Sequence, residues 1–342
     1  MSRMIEVGRA AALAIVIALC FAALPASAQA PGSKLVNPTA ESVKEEQLLK
    51  ELQRIEGRIT IPDKRERVLI QPAGQSWREF RQTTLPRTGA IAILGMTGLL
   101  LLFLLVRGRI RVENGLSGQT IERFNGTERF AHWLTATSFV VLAITGLNVT
   151  FGRDYLLPLI GAETFTFLSQ WAKYLHNYMS FAFLLGLVMI FVLWVFYNFP
   201  SARDLRWIAE GGGIIGSKHP PAAKFNAGQK LVFWITILGG LALAITGYML
   251  MFPFYSLPST TLTELNTSID AIQTAQVIHG LVGLIMIAII LAHIYIGTIG
   301  MKGAFWSMGT GQVDVNWARQ HHSVWAEKVV GKQGAGGAMP AE

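Results

Sequence analysis

VIHGLVGLIMIAIILAHIY, residues 277–295, has the composition of a membrane-crossing helix. It is apolar throughout except for His279 and His293, and it lies within a longer uncharged run from Ala271 to Gly300. Such a run crosses roughly 30 Å of hydrocarbon as a helix, because only a helix satisfies its own backbone polar groups there. The two histidines are 14 residues apart. At about 100° per residue they share one helix face, roughly 21 Å apart along the axis. One metal ion cannot span that distance, but two cofactors stacked across a membrane can.

Four similar uncharged stretches accompany this one, at about Thr88–Val106, Phe130–Thr150, Tyr174–Phe199 and Leu231–Phe252. The whole chain of 342 residues is 51% hydrophobic and 15% charged, with a mean hydropathy of +0.41. A water-soluble protein of this length is not so apolar. The expected fold is therefore an all-α integral membrane protein, a transmembrane helix bundle. The net charge of +8 sits between the apolar runs, where it reports orientation and gives no sign of nucleic-acid binding.

Residues 107–129, 200–230 and the tail after 300 together hold fourteen Lys and Arg, whereas the alternate connectors hold only Arg153 and Lys173. The positive-inside rule puts the three basic segments, and hence the C-terminus, in the cytoplasm. At the other end, Arg3 and Arg9 precede the apolar run Ala10–Leu24, which is followed by Pro25 and Ala26-Ser27-Ala28. This pattern predicts an export signal cleaved after residue 28, with an uncleaved signal anchor as the other reading. The expected organisation is then a signal peptide (1–28), a periplasmic segment (29–87), an extra transmembrane helix (88–106), a cytoplasmic loop (107–129), a four-helix core (130–300) and a cytoplasmic tail (301–342). The single cysteine, Cys20, falls in the signal. The mature chain could hold neither a disulfide, nor a Cys-ligated iron–sulfur cluster, nor a covalently attached c-type haem.

An internal repeat appears at an offset of 101 positions. Residues 124–146 and 225–247 share nine identities in 23 positions, including Trp133 with Trp234 and Ala143-Ile144-Thr145-Gly146 with Ala244-Ile245-Thr246-Gly247. At an offset of 103, His176 falls on His279. A helical hairpin duplicated about an axis along the membrane normal produces such a pattern.

Apart from tyrosines, the only ionisable side chains inside the five spans are His132, His176, His279 and His293. Depth pairs His132 with His293 towards the inside and His176 with His279 towards the outside. Two His–His pairs in a bundle, with no cysteine or carboxylate nearby, point to two bis-histidine b-type haems suited to electron transfer. Interhelical hydrogen bonding or a proton path is the other use of such residues. His219, His321 and His322 lie outside the spans and read as solvated surface residues. Gly146, Gly247, Gly280 and Gly283 leave room either for a flat macrocycle or for close helix packing. Arg129, one turn before His132, suits either a haem propionate or an ordinary positive-inside flank. Asn226 and Gln229, with Gly228 between them, suit either a quinone headgroup or a helix cap.

These residues resemble the gamma (cytochrome b556) subunit of membrane-bound, respiratory formate dehydrogenase. The resemblance covers about Ile121–Val330 and rests on Arg-Phe-Ala-His-Trp at 129–133, Tyr-Leu-His at 174–176, Phe-Asn-Ala-Gly-Gln-Lys at 225–230, Val-Ile-His-Gly at 277–280, Leu-Ala-His-Ile-Tyr at 291–295 and Trp-Ala-Arg-Gln-His-His at 317–322. It implies a four-helix dihaem cytochrome b core plus one extra N-terminal helix, in a bacterial inner membrane. It implies an outer haem on His176 and His279 and an inner haem on His132 and His293. It further implies quinone reduction beside Asn226, Gly228 and His293, an iron–sulfur beta subunit as electron donor, and a molybdenum or tungsten alpha subunit that oxidises formate. The N-terminal extension is absent from shorter members, and residues 30–87 are expected to clamp the external subunits. A nickel–iron hydrogenase cytochrome b differs in donor but not in architecture, and a non-redox membrane anchor is the reading from another class.

Overall fold

The computed structural model describes residues 74–253, except 215 and 217, and residues 269–335. The expected signal and most of the expected external segment lie outside the described residues. Five helices in the described part are long and apolar enough to cross a membrane. They are α1 (Leu85–Arg107), α2 (Gly126–Phe151), α3 (Ala162–Trp194), α5 (Ala227–Met251) and α6 (Ile269–Tyr295). A short amphipathic helix, α4 (Ala202–Ala209), lies between α3 and α5. Outward-facing residues such as Ile91, Leu105 and Val192 are exposed and apolar, as a lipid-facing surface requires.

Two boundaries differ most from the sequence expectation. The first span begins at Gly74, so residues 74–87 are helical and continuous with α1. Pro86 is accommodated because the five residues before α1, Phe80–Thr84, form a π-helical turn. That wider turn accommodates a ring that would clash in a regular α-helix. The second difference is α3, which starts at Ala162, twelve residues before the apolar run, because polar Ala162–Lys173 continues the same helix.

The duplicated sequence gives a duplicated architecture. Helices α2 and α5 start with the same device: Asn125 accepts from the Glu128 amide while Glu128 accepts from the Asn125 amide, and Asn226 and Gln229 do likewise. The repeat-related Trp133 and Trp234 donate their indole N–H to carbonyls of Met308 and Asn198, in the loops after α6 and α3. Arg129 and Lys230, also repeat-related, hold the same two loops through Gly309 and Phe199 carbonyls. Between the hairpins lies an apolar core that includes Phe139, Phe183, Leu187, Ile190, Phe233, Ile237 and Met286.

The extra helix α1 docks on α6. A Cβ on Gly89 would strike Leu284, and one on Gly280 would strike Leu85. Nearer the other end, Phe103 meets Tyr295 edge-on at 6.3 Å. Gly280 is therefore a helix contact, and the macrocycle alternative does not apply to it.

The segments expected to be loops fold together at one end of the bundle. Strands β1 (Thr120–Glu122) and β2 (Gln312–Asp314) pair antiparallel, with Ile121 opposite Val313. Helices α7 (Val315–His321) and α8 (Ser323–Ala335) follow. Ile110, Val112, Ile121, Met301, Val313, Trp317 and Ala326 form a second apolar core there. This cap closes the bundle end that carries the basic connectors.

Candidate functional site

Helix α2 places His132 in its second turn, at the cap end, and α6 places His293 in its last turn at the same end. The two rings face each other with centroids 6.2 Å apart. At the far end, His176 of α3 and His279 of α6 face each other, also at 6.2 Å. The structure thus brings the four histidines together in the two pairs that depth suggested.

The spacing suits one iron between each pair of rings. A metal–imidazole bond of about 2 Å, with the ring centre about 1.1 Å behind the nitrogen, puts two in-line rings about 6.3 Å apart. Two imidazoles alone cannot complete a metal site, and among the described residues no group of three His, Cys, Asp or Glu lies close enough to hold an ion. A porphyrin supplies the four equatorial nitrogens that such a pair lacks. A Cβ on Gly146 would come 3.5 Å from the His176 Cε1, and one on Gly247 3.3 Å from the His279 Cε1. These glycines leave the flank of each imidazole open.

The far pair has partners that the sequence reading missed. Nδ1 of His176 lies 2.7 Å from the Thr145 hydroxyl, and Nδ1 of His279 lies 2.9 Å from the Thr246 hydroxyl. Each hydroxyl donates its own proton one turn back, to the Val141 carbonyl at 2.8 Å and the Ala242 carbonyl at 2.7 Å. With that direction each hydroxyl accepts Nδ1–H from its histidine, alongside the Leu142 and Leu243 backbone carbonyls, and this tautomer leaves Nε2 without a proton. The repeated Ala-Ile-Thr-Gly was the available signal, since it recurs beside both histidines.

The cap-end pair is built differently. The positions repeat-equivalent to His132 and His293 are Phe233 and Ile190, both buried in the apolar core. The duplicated scaffold therefore carries one such pair at this end. His132 Nδ1 and Arg129 Nε are buried without a hydrogen-bond partner among the described residues. Unpaired buried polar atoms cost roughly 1–3 kcal/mol each, so they mark a place where a further group belongs. Arg129 also spends one N–H on the Gly309 carbonyl, at 3.0 Å.

Asn226 and Gln229 lie in the cap of α5, where their side-chain oxygens accept from each other's backbone amides. The helix-cap role is thus present, and it leaves the amide NH2 groups of both residues as donors. Gly228 lies under the Trp207 indole, 3.1 Å from where its Cβ would stand.

His321 and His322 are not solvated, contrary to the sequence expectation. They are 7% and 1% exposed, because the tail folds back onto the loop between α4 and α5. His322 donates from Nδ1 to the Ala223 carbonyl at 2.8 Å and accepts at Nε2 from Arg123, also at 2.8 Å. Arg123, also buried, donates in addition to the Lys224 carbonyl and to Gln229, and its guanidinium lies over Phe124 and Trp317. Burial pushes Arg123 down to about 9, opposed by Glu128. That buried carboxylate accepts from Trp194 and Lys224 at 2.8 and 2.6 Å. His219 pairs with Glu113 at the cap edge, at 2.9 Å.

The buried tail histidines make the cap acid-sensitive. Burial, then His219 and Arg123, hold His321 down to about 4, and burial and Arg123 hold His322 well below its ordinary value. The unfolded tail binds more protons than the folded one from about pH 6.5 downwards, so cap stability falls as pH drops from about 6.5 towards 4. Amide hydrogen exchange across residues 315–331 should quicken over that window in wild type and less so in His321→Asn. A flat profile in wild type would contradict this.

Comparison with known proteins matches residues 123–311 to a family model described as prokaryotic cytochrome b561. The chain belongs to this family. As a cytochrome b, it is a multi-pass membrane protein whose family implies b-type haem. Among its relatives are two Escherichia coli proteins. The formate dehydrogenase cytochrome b556(fdo) subunit is 27% identical over 212 residues, covering 61% of this chain and 93% of the relative. The nitrate-inducible formate dehydrogenase cytochrome b556(Fdn) subunit is 28% identical over 213 residues, covering 61% and 91%. The formate dehydrogenase cytochrome b556 subunit of Haemophilus influenzae is 27% identical over 220 residues, covering 62% and 85%.

Proposed function

We propose that this member of the family is the electron-transfer and quinone-reducing membrane subunit of a formate dehydrogenase. The observation that carries the reading is the two pairs of facing histidines along α6, both at 6.2 Å, in a chain similar to three formate dehydrogenase cytochrome b556 subunits. His176 and His279 hold an outer b haem, and His132 and His293 an inner one, with Arg129 beside an inner propionate. When bound, the two haems supply a one-electron path between the membrane faces.

Positive charge gathers at the cap end, which puts the cap in the cytoplasm and the α2–α3 connector in the periplasm. The donor is then a periplasmic iron–sulfur subunit served by a molybdenum- or tungsten-containing one. Quinone binds at the cap end, where the amide NH2 groups of Asn226 and Gln229 donate to its carbonyl oxygen, beside the Trp207 indole that covers Gly228. Residues 30–87 clamp the external subunits.

The test is an anaerobic difference spectrum of membranes containing the whole complex, after formate and then after dithionite. Formate should reduce a b-type signal that disappears when the four histidines are replaced. Reduction by dithionite and hydrogen but not by formate would keep the dihaem core and reassign the donor to a hydrogenase. No b-type signal at all would leave a non-redox anchor.

A further inference from the structure

The two histidine pairs differ in one respect that bears on the direction of electron flow. Both imidazoles of the far pair donate Nδ1–H to a threonine hydroxyl, at 2.7 and 2.9 Å. Among the described residues His132 Nδ1 of the cap-end pair is buried without a hydrogen-bond partner. An acceptor on the remote nitrogen makes an imidazole more basic and a stronger donor through the other nitrogen. Stronger donation stabilises ferric over ferrous iron and lowers the reduction potential.

From this we infer that Thr145 and Thr246 are positioning residues that hold the outer haem at a lower potential than the inner one, so that electrons run downhill from outer to inner. The inference rests on the dihaem reading above. Three features make the threonines suited to the task. Their hydroxyls also lie within bonding distance of the Val141 and Ala242 carbonyls, and donating there leaves them as acceptors for the histidines. They stand in identical Ala-Ile-Thr-Gly sequences on repeat-related helices, so both axial ligands of one haem are tuned alike. The glycine that follows each threonine lies against the same imidazole, at 3.5 and 3.3 Å from Cβ position to Cε1, which confines the ring beside the hydroxyl.

The experiment is a potentiometric titration of the b haems in the purified complex, comparing wild type with the Thr145→Val/Thr246→Val and Thr145→Ser/Thr246→Ser variants. The outer haem is identified as the one missing from His279→Ala. Valine matches threonine in shape but accepts no hydrogen bond, so the outer midpoint should rise while the inner stays, narrowing the gap. Serine keeps the hydroxyl and should keep the wild-type gap. Loss of the outer haem in the valine variant alone would also support a positioning hydroxyl. An unchanged gap in the valine variant, or an equal effect of serine and valine, overturns the inference and leaves the dihaem reading standing. A wild-type complex without two b haems overturns both.

Discussion

His279→Ala is expected to abolish binding of the outer haem, leaving one b haem per chain in place of two. His279 contributes one of the two facing imidazoles of the far pair, 6.2 Å from His176, and its ring is fixed by Thr246 at 2.9 Å. Removing even an outer-shell partner of a ligand typically costs about 10–100-fold in affinity, so removing the ligand itself should exceed about 100-fold. Alanine also leaves the Thr246 hydroxyl oxygen without its imidazole donor. Electron delivery from the external subunits should fall with it, by a similar factor or more. His293→Ala should show the complement, with the inner haem and quinone reduction lost while formate still reduces the outer haem. Haem content by pyridine haemochrome and the dithionite difference spectrum check both variants. Two full haem equivalents in either would refute the ligand assignment.

Arg123→Ala is expected to unfold the cap while sparing the bundle. The guanidinium is buried and joins three segments, the entry to α2, the loop before α5 and the C-terminal tail, through the Lys224 carbonyl, Gln229 and His322. It also lies against Phe124, Trp317 and Trp325 at 5.1, 5.2 and 5.9 Å. Its removal leaves His322 Nε2 and the Lys224 carbonyl without their donor, which makes a loss of about 3–5 kcal/mol the expected scale. Lysine should not restore it, because an ammonium lacks the second nitrogen that reaches Ser307 and the planar group that stacks on the rings. Fast hydrogen exchange in residues 301–331, with normal haem spectra, is the expected outcome. Wild-type protection in Arg123→Ala would show that the apolar core around Trp317 holds the cap unaided.

Gln229 connects this network to the proposed quinone position, since it accepts from Arg123 at 3.3 Å and from the Asn226 amide at 3.1 Å. A loosened cap should therefore also weaken quinone reduction, in the same pH range where His321 and His322 take up protons. This distinguishes the cap from a passive plug, because the haem content should not follow the same pH profile.

How much of this was legible in the chain depends on the range of the physics involved. Hydropathy acts over one helix at a time, so the five spans, the charge asymmetry and the 14-residue spacing on α6 could be read directly from residues 277–295 and their neighbours. Depth is set by position along a span, and this was enough to pair His132 with His293 and His176 with His279. The recurrence of Ala-Ile-Thr-Gly was visible too, but its use was not. That Thr145 and Thr246 accept from the histidines depends on how α2 crosses α3 and how α5 crosses α6.

The cap lay beyond such local reasoning. Residues 107–129, 200–230 and 301–342 are polar connectors by composition, and nothing in His321-His322 distinguishes a buried pair from a solvated one. They are buried because Ile121 meets Val313 across a ribbon, and because Arg123 finds partners roughly 100 and 200 residues away in Lys224 and His322. Sequence alone determined the membrane helices and the depth of each histidine, because burial in lipid is decided by composition along one segment. Which polar atoms are paired follows from the packing alone, because a hydrogen bond needs two groups within about 3 Å, and chain separation does not report that distance.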